Sequence, residues 1–192
     1  MSTAKILAFA GSLRRDSYNK KLARYAAARA EAAGATVTVI DLRDYPLPLF
    51  DEDLEREQGT PAHAKELKRI FLEHDGLILA CPEYNSSITA VLKNTIDWLS
   101  RKEGDEAPLA CFAEKSALLL AASPGQLGGL RGLIATRAIL GNINVLVLPE
   151  QLAVSKAHEA FDGTGHLVDA KQAARVDGMV KKLVDTVSKL HR

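Results

Sequence analysis

Five short stretches of this chain are apolar at nearly every position, and longer stretches with a helical pattern separate them. The apolar stretches are residues 6–10, 37–40, 77–81, 117–122 and 145–148. Strands that are apolar on both faces are typical of a parallel sheet covered by helices on both sides, whereas a sheet with one face in water alternates apolar and polar residues. The sequence therefore predicts an α/β fold with five parallel strands.

The segments between the predicted strands carry apolar residues at steps of three and four, which is the helical period. Gly34 is expected to end the first helix, and Thr60 with Pro61 to begin the second. Further helices are predicted over residues 88–99, from Leu130 to a stop at Gly141 and Asn142, and over residues 169–190. Residues 43–57 and 149–157 are expected to form loops.

Parallel strands joined by helices need right-handed crossovers, which leaves few topologies. The strand order 2-1-3-4-5 is the most economical of them. It gives a flavodoxin-like three-layer sandwich, with helices on both faces of the sheet. Because the chain has 192 residues, 47% hydrophobic and only 5% aromatic, we expect a single domain over residues 1–192 with an aliphatic core.

The composition narrows the classes of function. The chain has 25 basic and 24 acidic residues, so its net charge is +1. A general nucleic-acid-binding protein has a strong positive field, and this charge is too small to produce one. Cys81 and Cys111 form no C-x-x-C pair and the five histidines match no metal-ligand spacing, so neither a disulfide framework nor a metal site is expected. Cys81 is predicted to be a small core residue, and the histidines to be exposed.

The apolar stretches also bear on the compartment. None is long enough to be a secretory signal or to cross a bilayer. We therefore expect a cytoplasmic protein without membrane insertion.

In a sheet of this order, ligands bind beside the carboxyl ends of the strands, at the point where the chain reverses direction. That rule places the site after strands 1, 3 and 4. The segments found there are residues 11–19, 82–86 and 123–129, and all three are polar and rich in turn-forming residues. The chemistry is therefore expected to converge on one edge of the sheet.

Residues 11–19 have the composition of a phosphate-binding loop. Strand 1 leads directly into Gly-Ser-Leu-Arg-Arg-Asp-Ser-Tyr-Asn and then into a helix, whose first turn offers unpaired N–H groups and a partial positive charge. Ser12, Ser17 and Asn19 would add neutral donors, and Arg14 would add charge. The less favoured alternative for Arg14 is a solvated surface cation. The loop has no further glycine, which excludes the G-x-G-x-x-G dinucleotide fingerprint, and the chain has no Walker A loop.

Three motifs occupy the three segments. They are Gly-Ser-Leu-Arg-x-x-Ser-x-Asn at residues 11–19, Pro-Glu-Tyr-Asn-x-Ser-x-x-x-x-Leu-Lys-Asn-x-Ile-Asp-Trp at residues 82–98, and Ser-x-Gly-x-x-Gly-Gly at residues 123–129. Together they resemble the NAD(P)H-dependent FMN reductase family, which includes bacterial quinone and chromate reductases and related azoreductases. The second motif is the most specific, and the resemblance covers nearly the whole chain.

The resemblance implies an FMN site made from the same segments. Its phosphate-binding part corresponds to Ser12, Arg14, Ser17, Tyr18 and Asn19. Its platform for the ring corresponds to Pro82, Glu83, Tyr84, Asn85 and Ser86, and the other edge of the ring to Ser123 and Gly125. The residue types fit this assignment, because a phosphate monoester suits hydroxyls at one helix start whereas a pyrophosphate needs glycines.

Two other interpretations of the platform residues stay open. Tyr84 offers a flat apolar surface to a ring, but a tyrosine at this place could also be a surface turn residue. Asn85 and Ser86 could cap the start of the following helix.

The resemblance further implies an FMN-dependent oxidoreductase that takes hydride from NADPH or NADH. It would reduce a small-molecule acceptor, such as a quinone, azo compound, chromate or flavin, by two electrons in ping-pong order. The flavin holds the reactive atoms, so no catalytic side chain and no metal is predicted. A flavodoxin-type electron carrier and a flavin-free interaction module on the same scaffold are the alternatives.

The resemblance also implies an assembly of several copies. A homodimer or homotetramer is expected, with Arg131 and Glu150 at tetramer contacts. The resemblance suggests a subunit interface for Trp98, and a place in the core is the alternative, although Trp98 falls off the main apolar stripe of its helix. The role of residues 152–166 stays open between a loop near the flavin and a loop at an interface.

Overall fold

The structure is a computed structural model that describes residues 3–191. Its sheet has five parallel strands in the order β2-β1-β3-β4-β5. The strands are β1 (Lys5–Ala10), β2 (Thr36–Val39), β3 (Gly76–Ala80), β4 (Ser116–Ala122) and β5 (Leu146–Val154). The predicted strand order and the flavodoxin-like fold are confirmed.

Within residues 3–191, six α-helices connect and cover the strands. They are α1 (Tyr18–Ala32), α2 (Glu52–Gln58), α3 (Ala62–Leu72), α4 (Ala90–Ser100), α5 (Leu130–Asn142) and α6 (Ala170–Leu190). Side chains of α1 and α6 form one apolar core with one face of the sheet, and side chains of α3, α4 and α5 form a second core on the other face. The result is the predicted three-layer sandwich.

The continuous apolar strands follow from these two cores. Along β1, Ile6 and Ala8 enter the core with α1 and α6, whereas Leu7 and Phe9 enter the opposite one. Every residue of β3 and β4 is buried. A strand between two helical layers has no face for polar side chains, because successive residues point to opposite sides.

The loop predicted at residues 43–57 is partly helical. A short 3-10 helix spans Leu42–Asp44 and is capped by Asp41, whose carboxylate accepts the N–H of Arg43 at 3.0 Å. Further along lies α2, which buries none of its residues. A short helix of this kind carries no apolar stripe, so the pattern that reveals the other helices is missing from its sequence.

The predicted start of one helix was wrong by one residue, because Pro61 is the N-cap of α3 in place of Thr60. The predicted stop of α5 at Gly141 and Asn142 is confirmed, since α5 ends at Asn142. The left-handed residue after α5 is Asn144, with φ 65°, rather than Gly141.

The connector expected at residues 149–157 is largely strand. Ala117 pairs with Val147 but Leu119 pairs with Gln151, so β5 bulges between these pairs. Pro149 lies in the bulge, where its missing N–H breaks no ladder hydrogen bond. The proline and the charged residue after it hid the second half of this strand.

Two aromatic side chains are more buried than the sequence predicts. Trp98, expected at a subunit interface, is fully buried within the chain, and its Nε1 donates to the carbonyl of Pro48 at 2.8 Å. His74, expected to be exposed, is buried between the carbonyl of Ile70 and the hydroxyl of Thr38. In each case a segment distant in sequence covers the ring, which periodicity along one helix does not reveal.

Candidate functional site

The carboxyl ends of β1, β3 and β4 bring the three predicted segments together around two adjacent cavities. The first, here called the α1 pocket, has a volume of about 220 Å³. Its predicted residues are Ser12, Arg14, Ser17, Tyr18, Asn19, Pro82, Glu83, Tyr84 and Ser123. The second, the α5 pocket, has a volume of about 610 Å³ and adds Asn85, Ser86 and Gly125 while sharing Glu83 and Ser123 with the first. Tertiary structure thus assembles all the predicted site residues.

The start of α1 leaves donors free at the α1 pocket. Ser17 is the N-cap in extended conformation, and its hydroxyl caps no backbone group. Among residues 3–191, no protein acceptor pairs with the backbone N–H groups of Tyr18, Asn19 and Lys20. Three N–H groups and a partly positive helix end therefore face a small polar cavity, which is an arrangement that binds anions.

The side chain of Asn19 has a structural role in this pocket. It is buried, its Nδ2 donates to the carbonyl of Ala122 at 2.8 Å, and its Oδ1 accepts the N–H of the same residue at 2.9 Å. These two bonds fasten the start of α1 to the end of β4. Asn19 can therefore offer its backbone N–H to an anion, but its amide is already engaged.

Arg14 lies at the mouth of the α1 pocket and Arg15 does not. The Arg14 guanidinium donates to the carbonyl of Asp16 at 2.6 Å and lies 5.5 Å from the centre of the Tyr18 ring. Lys21 approaches the same ring at 5.9 Å, so two cations flank Tyr18. Arg15 points instead to a different cavity, described below.

Thr89 is a residue of the site that the sequence prediction missed. Its buried hydroxyl donates to the carbonyl of Gly11 at 2.7 Å and also accepts the N–H of Leu92 at 3.3 Å, which makes it the N-cap of α4. A Cβ on Gly11 would come within 3.0 Å of Leu92. The strand-1 loop therefore rests directly on α4, and a threonine before an apolar helical stretch was the available clue.

The platform after β3 is a tight hairpin turn. Tyr84 and Ser87 exchange two backbone hydrogen bonds of 3.0 Å each. The two central residues, Asn85 with φ 50° and Ser86 with φ 67°, are both left-handed, which is the requirement of a type I′ turn. Their predicted alternative as caps of α4 is wrong, because Thr89 has that role. The Tyr84 side chain is left 57% exposed.

Glu83 points away from the open edge and toward α5. Its carboxylate accepts the N–H groups of Arg131 at 3.0 Å and Gly132 at 3.3 Å, and also the Nε of Arg131 at 2.7 Å. Burial acts to raise the pKa of the Glu83 carboxyl, but these hydrogen bonds outweigh burial and hold the pKa below its usual value. Glu83 is therefore charged and bound to the start of α5.

A third cavity, here called the α4 groove, lies on the other side of the strand-1 loop. It has a volume of about 690 Å³ and is mainly apolar, with Leu13, Leu49 and Val91 among its lining. Leu13 is 51% exposed and Leu49 77% exposed. Arg15 and Arg43 also line this groove, but apolar side chains predominate in its lining.

The remaining reactive groups lie outside both pockets. Cys81 is fully buried, and burial raises the pKa of its thiol to about 12, as expected for a core residue. Within residues 3–191 no group of three metal-ligating side chains is found. In the same part of the chain, no helix is long and apolar enough to cross a bilayer.

Comparison with known proteins places the chain in a family. The model of the NADPH-dependent FMN reductase family matches residues 4–159. The chain belongs to this family. The predicted family, the enzyme class and the use of FMN and NAD(P)H are thereby confirmed.

Individual members of the FMN reductase family resemble the chain over most of its length. A quinone reductase of Escherichia coli (strain K12) is 32% identical over 86% of this chain and 85% of its own. An NAD(P)H-dependent FMN reductase of Pseudomonas aeruginosa is 35% identical over 93% of this chain and 92% of its own. The solved structure of the flavoenzyme NAD(P)H:(acceptor) oxidoreductase FerB from Paracoccus denitrificans superimposes with a TM-score of 0.82, at 28% identity over 97% of this chain and 98% of that one.

Proposed function

We propose that this member of the FMN reductase family oxidises NAD(P)H through bound FMN and passes two electrons to a quinone or a similar acceptor. The observation that carries the proposal is the α1 pocket: free helix N–H groups and hydroxyls at the edge of the sheet, beside an exposed tyrosine. We further propose that residues 1–192 form one FMN-binding domain.

The residues of the α1 pocket fit a phosphate monoester. Ser12 and Ser17 are buried hydroxyls, and the first turn of α1 adds the N–H groups described above. Arg14 stands at the mouth, where its guanidinium can exchange the carbonyl of Asp16 for a phosphate oxygen, a stronger charge-assisted bond. A cavity of about 220 Å³ suits the tail of FMN and is too small for the whole cofactor.

The ring of FMN would then lie over the hairpin turn after β3. Pro82, Tyr84 and Asn85 would support it, Ser86 would contact it from the turn, and Ser123 and Gly125 would border its other edge. Bound FMN supplies the hydride chemistry, and the chain orients it and leaves one face open. No side chain has to act as acid or base, and the nearest thiol, Cys81, is protonated within the core.

An apolar surface beside the α5 pocket favours a quinone as acceptor over chromate. Leu127, Leu130 and Ile134 are exposed there, and Leu127 lines the pocket. Exposed apolar side chains next to a polar cavity suit a planar organic molecule with polar edges. The curated relatives named quinone reductase support the same choice. Azo compounds and flavins are acceptors of the same general shape.

The test is flavin reduction by a pyridine nucleotide. Purified protein should bind FMN in a one-to-one ratio, and the flavin should bleach under anaerobic NADPH or NADH. Steady-state rates with a neutral quinone should give parallel double-reciprocal plots, because both substrates use one open site. A flavin that stays oxidised would indicate an electron carrier instead, and a protein that takes up no FMN would contradict the proposal.

We also propose that the chain assembles as a homodimer or homotetramer in the cytoplasm. The α4 groove supports this, because two exposed leucines beside a large apolar cavity next to the site suit a second copy of the chain. Arg131 and Glu150, predicted at tetramer contacts, are paired within the chain with Glu83 and Lys182. Light scattering after size exclusion tests the assembly, with Leu49→Asp expected to yield monomers. Cell fractionation tests the compartment.

A further inference from the structure

The starts of α1 and α5 face neighbouring pockets, but only one of them is free. At α1, three backbone N–H groups have no protein acceptor among residues 3–191. At α5, the corresponding N–H groups of Arg131 and Gly132 are taken by the carboxylate of Glu83. A helix start attracts anions. At the start of α5 the place that an outside anion could take is therefore occupied by the Glu83 carboxylate.

We propose that Glu83 is a specificity-determining residue: by occupying the anion position at the start of α5, it biases the α5 pocket toward neutral acceptors and against anionic ones. The proposal rests on the function proposed above, because it concerns which acceptor that pocket admits. Glu83 itself would act by excluding a charge and by fixing the position of the turn after β3.

The carboxylate is held firmly in this position. Besides the two backbone bonds, the Nε of Arg131 donates to Oε1 of Glu83 at 2.7 Å, and the Nη2 of Arg131 lies 2.5 Å from the same oxygen in an ion pair. The Glu83 side chain is only 9% exposed, whereas that of Arg131 is 54% exposed. A charged carboxylate with four donors around it leaves no coordination for an outside anion.

Backbone packing holds Glu83 close to the start of α5. A Cβ on Gly132 would lie 3.2 Å from both Cα and Cβ of Glu83. Gly129, immediately before α5, has φ 96°, and a Cβ there would come within 2.8 Å of the Ala121 Cβ. These glycines let α5 approach the turn closely, which keeps the Glu83 carboxylate within hydrogen-bond distance of the helix start.

The charge of the α5 pocket follows from the same pair. Glu83 and Arg131 are the charged residues that line it, and each neutralises the other. The pocket therefore offers polar and apolar contacts without net charge. A neutral quinone has only its carbonyl groups to desolvate there, whereas a sulfonated one would bring an unpaired charge, whose burial costs far more.

The test uses Glu83→Gln, which keeps an oxygen for the backbone N–H groups but removes the charge. In the FMN-loaded protein the phosphate fills the α1 pocket and the ring lies over the turn, so sulfate titrated by calorimetry probes Arg131 and the part of the α5 pocket that the ring leaves open. We expect sulfate to bind about tenfold more tightly to Glu83→Gln than to the unchanged protein, because the α5 pocket loses a negative charge and the Arg131 guanidinium loses its charged partner. The double variant Glu83→Gln with Arg131→Gln is the matched control, and it should lose most of this gain.

The same variants should change the choice of acceptor. The ratio of kcat/KM for a sulfonated quinone to that for its neutral parent should rise about tenfold in Glu83→Gln, and the rise should shrink in high salt. Arg131→Gln, which leaves Glu83 on the helix, should lower that ratio. This second single variant keeps the proposal testable if Glu83→Gln loses its flavin.

Two results would overturn the proposal. One is a Glu83→Gln protein that retains FMN but shows neither tighter sulfate binding nor a changed acceptor ratio. The other is an Arg131→Gln protein with an unaltered ratio. The sulfate titration needs no turnover, so a negative result there is distinguishable from a protein that fails to oxidise NAD(P)H at all, which would count against the proposed function.

Discussion

The loop after β1 and the turn after β3 face the same edge of the sheet, but they are held by different means. The strand-1 loop is fastened by buried side-chain bonds from Asn19 to β4 and from Thr89 to Gly11. The turn at residues 84–87 is closed by two backbone bonds, carries two left-handed residues without glycine, and exposes its tyrosine. The strand-1 loop is anchored in the core, whereas the turn at residues 84–87 is attached to the rest of the chain mainly through the bonds of Glu83 to α5.

The difference follows the task proposed for each region. A phosphate is bound tightly only where donors are already in place, because ordering them at the moment of binding costs conformational free energy. A surface that admits a nucleotide and then an acceptor has to stay open. The core therefore supplies rigidity to the tail of the cofactor, and the turn supplies an accessible surface.

Two matched asparagine substitutions give the largest expected contrast. Asn19→Ala removes two buried hydrogen bonds and leaves the N–H and carbonyl of Ala122 unpaired, so we expect a loss of about 2–4 kcal/mol in the free energy of unfolding. Asn85→Ala places alanine at a left-handed position and should cost only about 1 kcal/mol. Urea unfolding measures both. Equal losses would mean that the two regions are anchored to the same degree.

Arg14→Ala should affect binding and leave stability nearly unchanged. Loss of a charge-assisted bond to phosphate is expected to raise the dissociation constant of FMN about tenfold or more. Arg15→Ala is the control, because Arg15 lines the α4 groove and should alter the constant less than about twofold. Quenching of flavin fluorescence measures both variants. An unchanged affinity in Arg14→Ala would remove this residue from the site.

Ser86→Gly should relieve backbone strain in the turn. With φ 67°, serine pays a steric penalty that glycine avoids, so the free energy of unfolding should rise by about 1 kcal/mol. Ser87→Gly is the matched control in the same turn, where no left-handed residue is required, and it should lower stability by about 0.5–1 kcal/mol. If both changes destabilise the protein equally, the turn is not strained.

The smallest effect concerns the attachment of the turn to α5. The pKa of the Glu83 carboxyl is lower in the folded chain than its usual value, so its stabilising contribution is complete at neutral pH and is lost as the pH falls through the folded pKa. The difference in unfolding midpoint between the unchanged protein and Glu83→Gln should therefore shrink between about pH 6 and about pH 3. A constant difference over this range would mean that the charge of Glu83 does not contribute.

Most of the fold could be predicted because its strands are buried on both faces. That burial requires apolar residues at successive positions, and the sequences of β3 and β4 show this pattern over nearly their whole length. The prediction failed where no such pattern exists: in α2, which buries none of its residues fully, and in the second half of β5, which a proline interrupts. Trp98 and His74 were misplaced because segments far away in the sequence cover them.

For the site, the sequence by itself determined which residues gather at the edge of the sheet, because strand order and loop composition are both written in local patterns. Only the tertiary structure decided what each side chain does there. In the folded chain the amide of Asn19 bonds to the end of β4, Thr89 is the N-cap of α4, and the carboxylate of Glu83 accepts an N–H group at the start of α5. Asn19 and Ala122 are hydrogen-bonded although they lie 103 positions apart in sequence, and no periodicity along the chain specifies such a pair.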